Sequence, residues 1–158
     1  MKNFDEAFDA NFSLVSLIVN RHLINHMRRV VTQLDMDLES AYLWGILAHL
    51  NVMGSLHPET KITALLDESG APLKGINPVS LATLSQVSGF ARETVRRKLL
   101  GLQERGKAQR LENGQWLVAI SGVDENIEAF TKETVLQLLG VAKEVTDILE
   151  SSQKNRSK

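Results

Sequence analysis

Near the middle of this 158-residue chain two short apolar-periodic stretches meet at a single glycine, and that junction constrains the fold more than any other feature. The segment reads Ser80-Leu81-Ala82-Thr83-Leu84-Ser85-Gln86-Val87-Ser88-Gly89-Phe90-Ala91-Arg92-Glu93-Thr94-Val95-Arg96-Arg97-Lys98-Leu99. Ser80 is placed to cap a helix over 81–88 by accepting a backbone N–H. Gly89 falls at the turn, where positive φ is costly for any residue with a Cβ. Ser85 is small enough to let two helices cross closely. Phe90, Val95, Leu99 and Leu102 recur at the spacing that anchors one side of a second helix, from Arg92 to about Arg105. Two short helices joined by a glycine turn make a helix-turn-helix, a unit whose second helix is able to enter a DNA major groove.

A hairpin is expected next. Ala108 to Leu111 and Gln115 to Ile120 flank Glu112-Asn113-Gly114. Asn-Gly favours a type I′ turn, in which both central residues take positive φ. Trp116 is expected to pack the hairpin onto one of the helices.

Long helices flank this segment. Phe12, Val15, Val19, Leu23, Met27, Val30, Val31 and Leu34 recur at helical intervals and predict a helix from about Asn11 to Leu34. Asp35-Met36-Asp37 breaks it, and Asp37 is suited to cap a second helix ending near Met53 at Gly54. Leu43, Ile46, Leu47 and Leu50 line one face of that helix. A last helix, about Val123 to Leu149, carries Ile127, Phe130, Leu138, Val141, Val145, Ile148 and Leu149, with Gly140 marking a kink or a close helix contact. Five segments follow: N-terminal helices for core and dimerisation (1–54), a connector (55–77), the helix-turn-helix with its hairpin (78–120), a C-terminal dimerisation helix (121–150) and a flexible tail (151–158). The connector is the least legible. Asp67 to Pro72 signals a loop, Lys61 to Leu66 fits a short helix or an extended piece, and Leu73 to Ile76 fits a short strand. A lid, a dimer arm and a plain loop all remain open for it.

The formal net charge of −1 hides a strong asymmetry. Residues 71–116 carry eight Lys/Arg against three Asp/Glu, whereas 1–70 and 117–158 are both acidic. Polyanion binding depends on such a local footprint, because screening removes distant charge within about 10 Å. With Val95, Leu99 and Leu102 inward, Glu93, Arg97 and Glu104 lie opposite, flanked by Arg96 and Thr94. Glu93 precedes Arg97 by four residues, so an ion pair orienting that arginine is one reading. Direct acceptance from a cytosine amino group is the other.

From Gly89 to Gly106 the chain resembles the helix-turn-helix core of winged bacterial transcriptional regulators of the GntR and MarR types. Arg92, Thr94, Val95, Arg96, Leu102 and Gly106 match, and 108–120 stands where their wing hairpin belongs. Ala91 departs from the Ser or Thr those families place at the cap, and Ser88 from the apolar residue common there. The resemblance implies a mostly α fold: a winged helix-turn-helix with a small β hairpin wing and long N- and C-terminal helices. It also implies that Arg92, Thr94, Arg96 and Arg97 face DNA, with Arg110 and Asn113 near phosphates or the minor groove. With Glu93 and Lys107 these make the candidate DNA-contacting set. The long terminal helices are similar in layout to the MarR arrangement, which implies a two-fold dimer. The apolar stripes on those helices point to a homodimer as well, with recognition helices meeting half-sites about one helical turn apart.

Other classes find less support. The absence of cysteine excludes disulfides, thiolate zinc sites and a cysteine nucleophile. His22 and His26 have a metal-ligand spacing, but no carboxylate lies between them and no third ligand is evident, so no metal is expected. No phosphate-binding glycine loop or nucleophile–base pair stands out, so neither catalysis nor a cofactor is expected. Tyr42 and Trp44 suit core packing or, alternatively, a pocket for a small-molecule effector that the sequence does not identify. No apolar run reaches the roughly 20 residues of a membrane span, and the acidic N-terminus lacks a signal-peptide layout, so a cytoplasmic location is expected. The rival functions are a winged-helix protein-interaction module and a ligand sensor that does not bind DNA.

Overall fold

The computed structural model describes residues 4–55, 64–119 and 125–156, with side chains as far as Ser152. The chain is mostly helical with one small antiparallel sheet. Its elements are α1 (Phe4–Gln33), α2 (Leu38–Val52), α3 (Leu81–Ser88), α4 (Arg92–Glu104), β1 (Ala108–Arg110), β2 (Trp116–Val118) and α5 (Glu125–Arg156). They fall into two compact units, Met1–Asp35 with Asn126–Lys158, and Met36–Glu125.

The first unit is the antiparallel pair α1 and α5. Asn11 donates to the Ser152 hydroxyl at 2.7 Å, Arg21 pairs with Glu144 at 3.1 Å, and Arg29 pairs with Glu133 at 3.1 Å, so position rises along one helix as it falls along the other. Ala7 and Val15 of α1 form a buried cluster with Leu149 of α5, and Ile18, Val30 and Ile127 are buried as well. Arg29 is buried too, at 5 % exposure. A buried charge is costly unless paired and hydrogen-bonded. Its guanidinium meets that condition by donating to the Phe130 carbonyl at 3.0 Å and the Thr134 hydroxyl at 3.2 Å, and by lying 4.7 Å over the Phe130 ring.

Both helices run further than their periodicity predicts. Along one side of α1 Phe4 stacks on Phe8 at 5.7 Å and Phe8 meets Phe12 edge-to-face at 5.8 Å, and the helix extends toward the N-terminus through them. The segment expected to be a flexible tail is helical through Arg156, where Ser151 bonds back to the Asp147 carbonyl and Ser152 receives Asn11. The expected start of this helix at Val123 lies outside the described residues. A Cβ at Gly140 would meet nothing within 4 Å, so this glycine marks no close helix contact.

In the second unit α2 is the central element and packs on α3, α4 and β2. The sequence grouping of 1–54 therefore divides at Asp35. That residue takes a left-handed φ of 49°, which a short polar side chain tolerates, and Asp37 then caps α2 by accepting the Ser40 N–H at 3.0 Å. Leu43 and Leu47 are fully buried with Leu84 of α3 and Val95, Leu99 and Leu102 of α4. Trp44 donates its indole N–H to the Lys107 carbonyl at 2.9 Å and packs against Leu65, Ile76, Leu117 and Val118, so it is a core residue. Tyr42 stays half-exposed against the Phe90 ring.

The α3–α4 junction forms as its residues dictate. Gly89 has φ 74°, and its N–H bonds to the Ser85 carbonyl. Ser85 does more than leave room, because its hydroxyl donates to the Phe90 carbonyl at 2.7 Å. Ser88 accepts the Phe90 N–H at 3.2 Å, which explains a polar residue at that buried position. Ala91 offers α4 no side-chain cap.

The hairpin pairs Ala108 with Val118, Gln109 with Leu117 and Arg110 with Trp116. Its turn differs from the type I′ expectation. Gly114 donates to the Leu111 carbonyl, only Gly114 has positive φ (82°), and Asn113 does not. This is a three-residue loop closed by a left-handed glycine. Asn113 instead accepts the Gln115 N–H through its side chain at 3.0 Å. Val79 adds a bridge to Trp116, with N–H to O distances of 2.8 and 3.0 Å. The strand β2 ends at Val118, Ala119 still donates to the Lys107 carbonyl at 3.0 Å, and Ile120 lies outside the described residues.

Within the connector, Leu66 bridges Pro72 around a turn in which Asp67 accepts from Ser69 and Ala71. Residues 73–76, which also fitted a short strand, form a turn closed by Ile76 donating to the Leu73 carbonyl. Gly75 takes φ 85°, which strains any residue with a Cβ, and a Cβ there would displace the Ser55 hydroxyl.

These pieces converge on Asn51, which is 0 % exposed. Its side-chain amide donates to the Asn77 and Trp116 carbonyls at 2.8 and 3.2 Å and accepts the Val118 N–H at 2.7 Å. Its own backbone carbonyl accepts the Asn77 N–H at 2.9 Å. A buried donor or acceptor left unsatisfied costs about 1–3 kcal/mol, so Asn51→Leu should destabilise the chain by roughly 3 kcal/mol or more, measured by urea denaturation. A loss below about 1 kcal/mol would show that the clamp is dispensable.

Candidate nucleic-acid interface

An open groove of about 290 Å³ lies between the start of α4, the start of α3 and the hairpin turn. Arg92 and Arg96 reach it from α4, Arg110 and Asn113 from the hairpin, and Ser80 from the α3 cap. The reason is local. Burial of Val95, Leu99 and Leu102 fixes the rotation of α4, which turns residues 92 and 96 toward the strands. The Val79–Trp116 bridge and the buried Trp116 hold the hairpin at the other wall. Arg110 lies 6.0 Å over the Trp116 ring with its charge exposed.

Electrostatics divides the basic residues. Arg92, Arg97 and Arg110 are exposed and form no ion pair with any described residue. Arg96 is exposed but held by Glu93, at 2.6 Å from Nη2 to one oxygen and 2.9 Å from Nε to the other. The hydrogen bond from Arg96 holds the Glu93 carboxyl below its ordinary pKa and raises that of the guanidinium in return. Glu93 thus pairs three residues along the helix, where the sequence spacing pointed to Arg97 four residues along.

Of the sequence-derived candidates, Arg92, Arg96, Arg110 and Asn113 come together, with Glu93 attached through Arg96. Thr94 is half-buried and does not line this groove. Arg97 lies on the other flank of α4, in a second groove with Asp37, Ser40, Lys98, Gly101 and Arg105. Lys107 is half-buried, its ammonium 5.8 Å from the Trp44 ring, and does not line the first groove. Gln115 was missed. It lines the first groove, donates to the Pro78 carbonyl at 3.2 Å and accepts from Asn113 at 2.8 Å. Its position directly after the Asn-Gly pair was the available signal.

Lys98 belongs to the fold and not to the groove. It pairs with Asp37 at 2.6 Å and Glu39 at 3.1 Å, and its side chain is 15 % exposed. It thereby ties α4 to the N-terminal end of α2, where acidic side chains favour the helix dipole. Partial burial works to raise the Asp37 pKa, but hydrogen bonds from Lys98 and Ser40 outweigh it and hold the carboxyl well below the usual carboxylate range. Donating to Asp37 likewise raises the pKa of the Lys98 ammonium.

Among the described residues no cluster of His, Asp and Glu is arranged to hold a metal ion, and none of their helices is long and apolar enough to cross a membrane. No family model matches the chain, and no curated protein matches it.

The depressed Asp37 pKa has a defined consequence for stability. The unfolded chain takes up a proton near pH 4 while the folded one still resists it, so the contribution of Asp37 is complete above about pH 4 and fades as pH falls further. Asp37→Ala should cost about 1 kcal/mol at pH 7 through loss of the cap. Urea denaturation of both proteins at pH 7 and pH 3 should show that deficit shrinking in acid. An equal deficit at both values would contradict the assignment.

Proposed function

We propose that this chain is a sequence-specific DNA-binding transcriptional regulator acting as a homodimer through a winged helix-turn-helix. The observation carrying the proposal is the convergence of Arg92, Arg96, Arg110 and Asn113, from two separate elements, on one open groove beside the buried stripe of α4. In this reading α2, α3 and α4 are the three helices of the domain, α4 is the recognition helix, and the β1–β2 hairpin is the wing. Arg110 on the wing neutralises a phosphate, which supplies affinity, and the first turns of α4 meet base edges, which supplies sequence preference. Arg97, on the other flank of α4, suits the phosphate backbone across the same groove of the duplex.

The dimer proposal rests on the first unit. Phe12, Val19, Leu23, Met27 and Val31 form a second apolar stripe on α1, all exposed. Val135, Leu138 and Leu139 do the same on α5. Each stripe lies roughly a third of a turn from the seam between the helices. Because the helices are antiparallel, the two stripes share one side of the pair. Together they expose on the order of 1,000 Å² of apolar surface per protomer, which is what a standard interface covers. A second copy of the same pair would complete a four-helix bundle. A monomer in sedimentation at high micromolar concentration would remove this part of the proposal.

Fluorescence anisotropy with a mixed-sequence duplex tests the DNA reading. Binding should weaken steeply from 50 to 200 mM salt, and Arg92→Ala or Arg110→Ala should each reduce the log–log salt slope by about 1. Both side chains are exposed, so melting temperatures should be unchanged. Unchanged affinity in both variants, or binding indifferent to salt, would overturn the proposal.

A further inference from the structure

Glu93 is out of place on a surface meant for a polyanion. Its carboxylate is 74 % exposed at the end of α4 that carries Arg92 and Arg96, where repulsion from phosphates would oppose an acid. Its geometry gives it a use. The two carboxylate oxygens take Nε–H and one Nη2–H of Arg96, at 2.9 and 2.6 Å, and so occupy one edge of the guanidinium. A guanidinium has five N–H donors in a rigid plane, so three remain, and two of these lie parallel on the outer Nη1–Nη2 edge. That edge points away from Glu93. It matches the O6 and N7 acceptors that guanine presents in the major groove.

The pair also separates selectivity from affinity. Arg92 and Arg110, without ion-pair partners among the described residues, are suited to strengthen binding to any duplex. Arg96 is neutralised by Glu93 and has its rotamer fixed, so it attracts phosphates weakly but meets a correctly placed guanine with little further ordering.

Building on the DNA-binding reading, we propose that Glu93 is a positioning and specificity-determining residue. It holds Arg96 with its outer edge toward the bases, so that each recognition helix selects one guanine through Arg96. Glu93 itself contacts no base.

The test is selection from a random duplex library with the full chain, the Glu93→Ala and Arg96→Lys variants, then affinities for the selected site and its single-base changes. The wild-type chain should enrich a guanine at a position that Arg96→Lys no longer specifies. Replacing that guanine should weaken wild-type binding roughly 5–100-fold, the range of a good bidentate contact. In Glu93→Ala the same replacement should matter less than about threefold, while affinity for unrelated duplex stays equal or rises because a negative charge is gone. Circular dichroism melts of the variants should match the wild type, since both side chains are exposed.

Full retention of the guanine preference in Glu93→Ala would overturn the inference and leave DNA binding intact. So would loss of preference at a cytosine position that Arg96→Lys still specifies, because Glu93 would then be reading a base directly. If the wild-type chain enriches no sequence and binds no duplex, the DNA reading itself fails.

Discussion

A single buried amide, the side chain of Asn51, sets the geometry on which the rest of the second unit depends. It joins α2 to the 77–79 segment and to the outer edge of the β2 backbone, and its two bonds to β2 are buried. Apolar contact alone would hold α2 against the sheet in several registers, because dispersion and burial are indifferent to small slides. Hydrogen bonds at fixed positions are not. A slipped register would leave buried N–H and C=O groups unpaired, so the polar clamp selects one arrangement from those the core would tolerate.

Two consequences follow for the groove. The hairpin is fixed relative to α2, while α4 is fixed to the same helix by Val95, Leu99 and Leu102 on its apolar side and by Lys98 at the α2 cap. Arg92 and Arg96 on α4 therefore hold a set relation to Arg110 and Asn113 on the hairpin. Affinity for a rigid duplex benefits from such preorganisation, because less freedom is lost on binding. The basic charge of 71–116 is also less uniform than its sum suggests. Lys98 serves the fold and Arg96 is balanced by Glu93, whereas Arg92, Arg97 and Arg110 are exposed without an ion pair among the described residues.

Much of this was legible in the sequence because the relevant physics is local. Gly89, the Ser80 and Asp37 caps and the apolar stripe of α4 each act within a few residues, and each stands where its pattern indicated. The residues brought to the groove were partly legible for the same reason, since a helical face follows from spacing. What was hidden depends on partners distant in sequence. Asn51 reads as an ordinary polar residue near a helix end, and nothing local reveals that it meets 77, 116 and 118. The place of α2 in the second unit was hidden likewise, because a helical stripe states that a helix is buried without stating against what. Gly114 shows a further limit. Asn-Gly marked the turn correctly, but the loop length fixed by the register decided which residue takes positive φ. The helical 151–156 segment is held by a bond from Asn11, 141 positions away.

The central claim is that the surface shared by the start of α4 and the hairpin turn is where a duplex sits. Backbone amide chemical shifts followed by nuclear magnetic resonance during titration with a short DNA duplex address it most directly. The account predicts that the large changes cluster in 92–97 and 110–115 and diminish as salt is added. Changes confined to α1 and α5, or none at saturating duplex, would contradict it.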